Sequence, residues 1–187
     1  MNHVFLASCT TDGGTNFVNA TEEIVGKQDR NPCAAHKIKN SVDEWRTQPC
    51  LAELLAQVDE LTADFNARKD LRTLLRSPNF NQTKRTGFAR PSETRWSGVY
   101  NMLKSTIALW PTLRAIKESG RTQHLLLQAF ISNSNLKRVK LVFECLKPLQ
   151  QLTVALQSRT EIIISNCTYE CYNSLKYSCM TVDLYDA

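Results

Sequence analysis

The chain has 187 residues, of which 42% are apolar and 22% are charged, so it is long enough to bury a real core and is ordinary in composition for a globular protein. Lys and Arg outnumber Asp and Glu by 23 to 18, an excess that permits a nucleic-acid partner without demonstrating one. No apolar stretch approaches the length of a membrane span and no secretory pattern opens the chain. The sequence therefore predicts an intracellular protein without a membrane partner.

The first predicted elements are a strand, a turn and a helix. An apolar run over 4–7, extended by small and β-branched residues, predicts a buried strand that stops before a glycine pair. The helix after this turn is predicted to end at Gly26. Asp12 would then lie at the carboxyl end of a strand, where the ligand sites of open α/β sheets are found. The alternative is that Asp-Gly is an ordinary turn pair.

From about residue 43 the pattern becomes that of amphipathic helices. Leucines spaced by three and four predict helix from Pro49, which suits an early helical position, to just before Pro78. Residues 77–94 are polar, contain two prolines and a glycine, and predict an exposed loop. The loop has one acid, Glu93, against three basic residues, which are Lys84, Arg85 and Arg90.

A second long helix is predicted to open at Arg95 and Trp96, because apolar residues then recur at intervals of three and four. Pro111 is expected to kink this helix or to divide it. Further helices are predicted over about 122–132 and 137–157.

Residues 159–187 have no clear period and carry no structural prediction. The predicted fold class is an α/β fragment followed by a mostly α part. A strand, helix and strand cannot complete a sheet, because strands need neighbours for stability. We therefore expect a part of the fold to be missing upstream.

Three short motifs carry the functional prediction, and each is weak when taken alone. A CxxH pair lacks two of the four ligands of a structural zinc site, and its histidine is equally explained as a half-buried, hydrogen-bonded residue. Taken alone, the tryptophan is better explained as a core aromatic of an amphipathic helix than as a binding residue. The motifs are Asp12 in CTTDGGTNFVNA, Cys33 with His36 in NPCAAHKIKNSV, and Arg95 with Trp96 in ETRWSGVYNMLKS.

In this order the motifs resemble the central part of hAT superfamily DNA transposases and of the zinc finger BED-type proteins derived from them. The segment LKPLQQLTVALQS, residues 146–158, is also similar to a family segment that begins with Leu-Lys-Pro. The resemblance covers about residues 4–158.

The resemblance implies a partial ribonuclease H-like fold with a helical insertion. Residues 1–42 would be the partial core, 43–158 the insertion domain and 159–187 a divergent tail. In complete members of the family, three carboxylates hold two divalent cations, usually magnesium, at a phosphodiester. Asp12 matches the second of these carboxylates.

The resemblance also implies roles in DNA binding. Cys33 and His36 match the family's Cys and His near the active site, and Trp96 matches the tryptophan that stacks on a flipped base. Phosphate contacts are expected from Arg95 and from the preceding loop, through Lys84, Arg85 and Arg90.

The family's first aspartate and its glutamate have no match here, and Asp12 alone would bind magnesium poorly. The sequence therefore predicts a fragment or relic of a hAT-type transposase that is inactive and has no cofactor by itself, although it retains nucleic-acid binding in the nucleus. The alternative prediction is a helical module that binds a protein partner or a second copy of itself.

Overall fold

A computed structural model describes residues 9–11, 15–27, 30–83, 85–90 and 96–157. The predicted tail over 159–187 lies outside the described residues, as do Asp12, Lys84 and Arg95. The strands and helices in chain order are β1 (Cys9–Thr11), α1 (Thr15–Val25), β2 (Arg30–Pro32), α2 (Ala34–Arg46), α3 (Pro49–Ala67), α4 (Lys69–Arg76), α5 (Ser97–Glu118), α6 (Leu125–Phe130) and α7 (Asn133–Gln157).

The prediction of an α/β, ribonuclease H-like fragment is wrong, because the described chain is mostly α-helical. The extended structure in the described ranges consists of β1 and β2, which are three residues long and pair in parallel with Cys9 opposite Arg30. The helix α1 connects them and ends at Gly26, whose φ of 87° is in the left-handed region that favours glycine. Within the described residues, two strands of this length do not make the sheet core that the resemblance implied, and the predicted strand run over 4–7 lies outside those residues.

The helix α2 occupies the segment where the resemblance placed the end of the sheet core. It begins directly after Cys33 and continues to Arg46, so the boundary predicted between residues 42 and 43 falls inside a continuous helix. Ile38, Val42 and Trp45 are spaced by three and four and are buried. Helical packing therefore begins before the predicted boundary.

The core of the described chain is built around α5, which packs against α3, α4, α6 and α7. Its helical spacing buries a run of side chains from Val99 to Ile116, while Pro111 lies inside the helix on an exposed position. The prediction of a long amphipathic helix from this segment is confirmed. The largest fully buried side chains are Phe65, Phe130, Leu61, Leu71, Leu75, Met102, Leu103, Leu109, Leu113, Ile116, Leu127 and Leu146.

His124 joins α6 to α3. Its Nδ1 accepts a hydrogen bond of 3.2 Å from the backbone N–H of Leu127, so Nδ1 carries no proton and Nε2 is the donor toward Asp64 Oδ2 at 2.8 Å. The imidazole thus caps the first turn of α6 and is buried at the same time. Both ring nitrogens have partners, which makes this histidine a structural link between the two helices.

Lys117 secures the other end of α6. Its ammonium lies 2.6 Å from the carbonyl oxygen of Gln128 and 2.8 Å from that of Ile131. Carbonyl groups at the end of a helix have no partner within the helix, and a cation placed there also interacts favourably with the helix dipole.

Lys117→Met should lower the free energy of unfolding by about 1.5–3 kcal/mol, because it removes a charged donor from two carbonyl groups and keeps the apolar stem. Urea denaturation of parent and variant would measure this difference. The matched control is Lys147→Met on α7, whose ammonium pairs with Glu144 at the surface and should change stability by less than about 0.5 kcal/mol. Equal stability of the two variants would contradict a capping role for Lys117.

Candidate nucleic-acid interface

The CxxH motif lies at the start of α2. Cys33 precedes the first helical residue, and its carbonyl oxygen accepts a hydrogen bond of 3.1 Å from the N–H of Lys37. His36 lies in the first turn, and both side chains are half-buried. Among the described residues, no group of three His, Cys, Asp or Glu side chains is placed to hold a metal ion.

Trp96 lies in the core at the amino-terminal end of α5. Only 4% of the residue is exposed, and its carbonyl oxygen accepts a hydrogen bond of 3.0 Å from the N–H of Val99. The indole belongs to the same apolar cluster as Val99 and Leu103. A nucleic-acid base could stack on this ring only if the side chain left its place in the core.

The segment over 68–90 carries seven basic residues and a single acid, Asp70. On α4, Lys69, Arg72 and Arg76 succeed one another at intervals of three and four, so they lie on one face of the helix. The opposite face contributes Leu71 and Leu75 to the core. The amphipathic character of α4 therefore directs its basic side chains outward.

The single acid of this segment is already paired within the protein. Asp70 Oδ2 accepts a hydrogen bond of 2.8 Å from Arg68 Nη2, and Asp70 Oδ1 lies 3.3 Å from Arg68 Nε. The bond from Arg68 lowers the pKa of the Asp70 carboxyl and raises the pKa of the Arg68 guanidinium. Asp70 therefore stays a carboxylate paired with Arg68 at neutral pH, and within the described residues the other basic side chains of the segment form no ion pair.

The loop after α4 is held on the helices by an asparagine of α3 and a serine of α5. Asn66 donates through Nδ2 to the carbonyl oxygen of Phe88 and accepts through Oδ1 from the N–H of Phe88, both at 3.3 Å. Ser105 Oγ accepts a hydrogen bond of 3.0 Å from the N–H of Ala89. These bonds, together with the burial of Phe88, fix the path of the chain up to Arg90.

Asn81, which lies in the loop itself, holds the residues around it through side-chain hydrogen bonds. Asn81 Nδ2 donates to the carbonyl oxygens of Leu75 at 2.8 Å and Arg85 at 2.7 Å, and Asn81 Oδ1 accepts from both the N–H and the hydroxyl of Thr83. Arg76 Nε reaches the carbonyl oxygen of Thr86 at 3.5 Å. The loop therefore lies beside the basic face of α4.

We use the name basic surface for five residues of α4 and the loop, which are Lys69, Arg72, Arg76, Arg85 and Arg90. Four are exposed and Arg72 is half-exposed. The sequence identified the two loop residues of this set because they stand in a polar segment. It missed the three on α4, although their spacing of three and four was the signal that could have found them.

A separate cleft of about 370 Å³ opens between α2, α3 and α5. Its floor is apolar and includes Leu55, Val99 and Met102, while Asp43 and Asp59 lie at its edge. The Asp43 carboxylate is engaged by Lys39 at 2.6 Å and by Arg46 at 3.6 Å. The cleft is thus an apolar recess with mostly paired charges, unlike the basic surface.

No protein-family model, no curated protein and no solved structure matches this chain. No helix in the described ranges is both long enough and apolar enough to cross a membrane. The resemblance to hAT transposases therefore stays a prediction from the sequence motifs.

Proposed function

We propose that this chain is a non-catalytic helical module that binds the phosphate backbone of a nucleic acid through the basic surface. The observation that supports this function is that Lys69, Arg72, Arg76, Arg85 and Arg90 are exposed or half-exposed on two adjacent elements, while Asp70, the acid on α4, is already paired with Arg68. Uncompensated Lys and Arg side chains on one surface are the electrostatic footprint of nucleic-acid binding.

The geometry of α4 suits a row of phosphates. From Lys69 to Arg76 the helix rises by about 10 Å, which corresponds to about three base-pair steps of a duplex. Contacts of this kind position a protein on nucleic acid without reading sequence. Descent from a hAT-type transposase, which the order of the three motifs predicts, would account for such a surface, although the proposal rests on charge and geometry alone.

Two variants on α4 test the proposal with changes of opposite sign. The double variant Lys69→Gln/Arg72→Gln removes two charges whose side chains make no hydrogen bond or ion pair within the described residues. It should weaken binding to a short DNA duplex and make the slope of log affinity against log salt shallower by about 2. Asp70→Asn releases Arg68, so it should strengthen binding and steepen the slope by about 1.

Fluorescence anisotropy over a series of salt concentrations measures both slopes. The control is Lys147→Gln, which removes a charge of α7 that already pairs with Glu144 at 3.2 Å and should leave the slope unchanged. The proposed function would be refuted if the parent chain showed no salt-dependent binding to duplex or single-stranded nucleic acid.

A second candidate function, a helical protein-binding module, is favoured by the cleft between α2, α3 and α5. An apolar floor with polar groups at its edge suits an apolar side chain of a partner. Ala56→Trp would fill this recess from the side of α3. Loss of a protein complex in this variant, with unchanged nucleic-acid binding, would support the second function over the first.

A further inference from the structure

Phe80 and Arg121 meet beside the basic surface although they lie far apart in the sequence. The guanidinium carbon Cζ of Arg121 lies 5.6 Å from the centroid of the Phe80 ring, within the range of a cation–π contact. Phe80 is half-buried and packs against the core, whereas Arg121 is exposed. The phenyl ring therefore supports a guanidinium group on its outer side.

The backbone fixes both partners. The N–H groups of Phe80 and Asn81 both donate to the carbonyl oxygen of Ser77, at 3.0 and 2.9 Å, in a tight turn that ends α4. Gly120 adopts a φ of 64°, which only glycine takes readily, and ends α5 directly before Arg121. Ser119 Oγ then accepts a hydrogen bond of 3.3 Å from the N–H of Arg121.

The pair lies close to a residue of the basic surface. Asn81, the neighbour of Phe80, donates to the carbonyl oxygen of Arg85 at 2.7 Å. The backbone of Arg85 therefore lies near the turn that carries Phe80. No hydrogen bond or ion pair occupies the Arg121 guanidinium in the part of the chain that the structure describes.

We infer that Phe80 and Arg121 form a stacking platform for an unpaired base of a nucleic-acid strand. This inference rests on the proposed function and adds a substrate class to it, namely strands with unpaired bases. A guanidinium plane stacks on any of the bases, and the Phe80 ring, 5.6 Å from Arg121 Cζ, attracts the cation toward this place on the surface. Trp96 offers no comparable face, because the core covers its ring.

Arg121→Lys is the discriminating variant, since it keeps the positive charge and removes the planar group. Single-stranded oligonucleotides of DNA and of RNA, each carrying 2-aminopurine, should bind this variant about five-fold more weakly or worse. The quenching of 2-aminopurine that stacking causes in the parent complex should be lost. Affinity for a DNA duplex and its salt slope should stay the same, because phosphate contacts do not depend on the plane.

Phe80→Leu is a second variant that removes the ring beneath Arg121 while keeping an apolar contact with the core. It should also weaken single-strand binding, and circular dichroism would establish that both variants are folded. Single-strand binding and quenching by Arg121→Lys at the level of the parent would overturn the platform while leaving the duplex-binding function intact. If Arg121→Lys lost affinity for single-stranded DNA but not for RNA, or the reverse, the stacking platform would also be overturned, because the face of a base is common to both.

Discussion

Trp96→Ala is expected to lower the free energy of unfolding by about 3–5 kcal/mol, the usual cost of deleting a large aromatic from a core. Trp96 is 4% exposed, directly precedes the first residue of α5 and belongs to the same buried core cluster as Val99 and Leu103. Urea denaturation followed by circular dichroism would measure the change. Leu125→Ala is the control, because Leu125 is 85% exposed and its truncation should change stability by less than about 0.5 kcal/mol.

The same variant separates two roles for this tryptophan. As a core residue, Trp96 affects nucleic-acid binding only through the fraction of folded protein. Under conditions where the variant is folded, its affinity for hairpin or gapped DNA ends should therefore equal that of the parent. A variant with nearly unchanged stability and a large loss of affinity for such ends would instead support the base-stacking role that the resemblance implied.

Phe65→Ala should lower the free energy of unfolding by a similar amount, about 3–5 kcal/mol. It should also make the loop after α4 open locally more often. Phe65 is fully buried in α3 and makes an edge contact with Phe88 at a centroid distance of 5.8 Å. Its ring also lies 6.1 Å from His124, the residue that caps α6. Removing the ring leaves a cavity between α3, the loop and α6.

Hydrogen exchange tests the second part of this expectation. The N–H of Phe88 is bonded to Asn66, so its protection from exchange should fall more in Phe65→Ala than protection at the centre of α5. Leu125→Ala serves again as the control. If Phe65→Ala lowered the free energy of unfolding by less than about 1 kcal/mol, the result would contradict the placement of Phe65 at the centre of the core.

The helical part could be predicted well from the sequence, because apolar residues spaced by three and four along the chain mark the buried face of an amphipathic helix. Val139, Val142, Leu146 and Leu149 are buried in α7 as their spacing predicts. The break at Arg68 between α3 and α4 could not be predicted. Arg68 is a good helix former, yet it is extended, with φ −82° and ψ 127°, because this turn lets α4 pack on both α3 and α5.

The amino-terminal part was predicted wrongly for a related reason. A short run of apolar, small and β-branched residues indicates a strand but not the size of its sheet, and of the predicted strand only Cys9–Thr11 lies within the described residues, as β1. The element after the second strand decides the fold class, and here α2 begins directly after Cys33 and contains His36, where the resemblance implied a sheet core. The residues of the motif would be the same in a sheet core and in a helical unit, so the motif alone could not distinguish these two folds.

The sequence by itself determined the charge of the segment over 68–90 and the apolar spacing of α3, α5 and α7, because both are properties of local order along the chain. Only the tertiary structure decided that Trp96 is covered and that Arg121 lies over Phe80. Each of these depends on how one helix packs against another and on where the connecting turns direct the chain. Such packing is set by shape and burial across the whole core, which no single segment encodes.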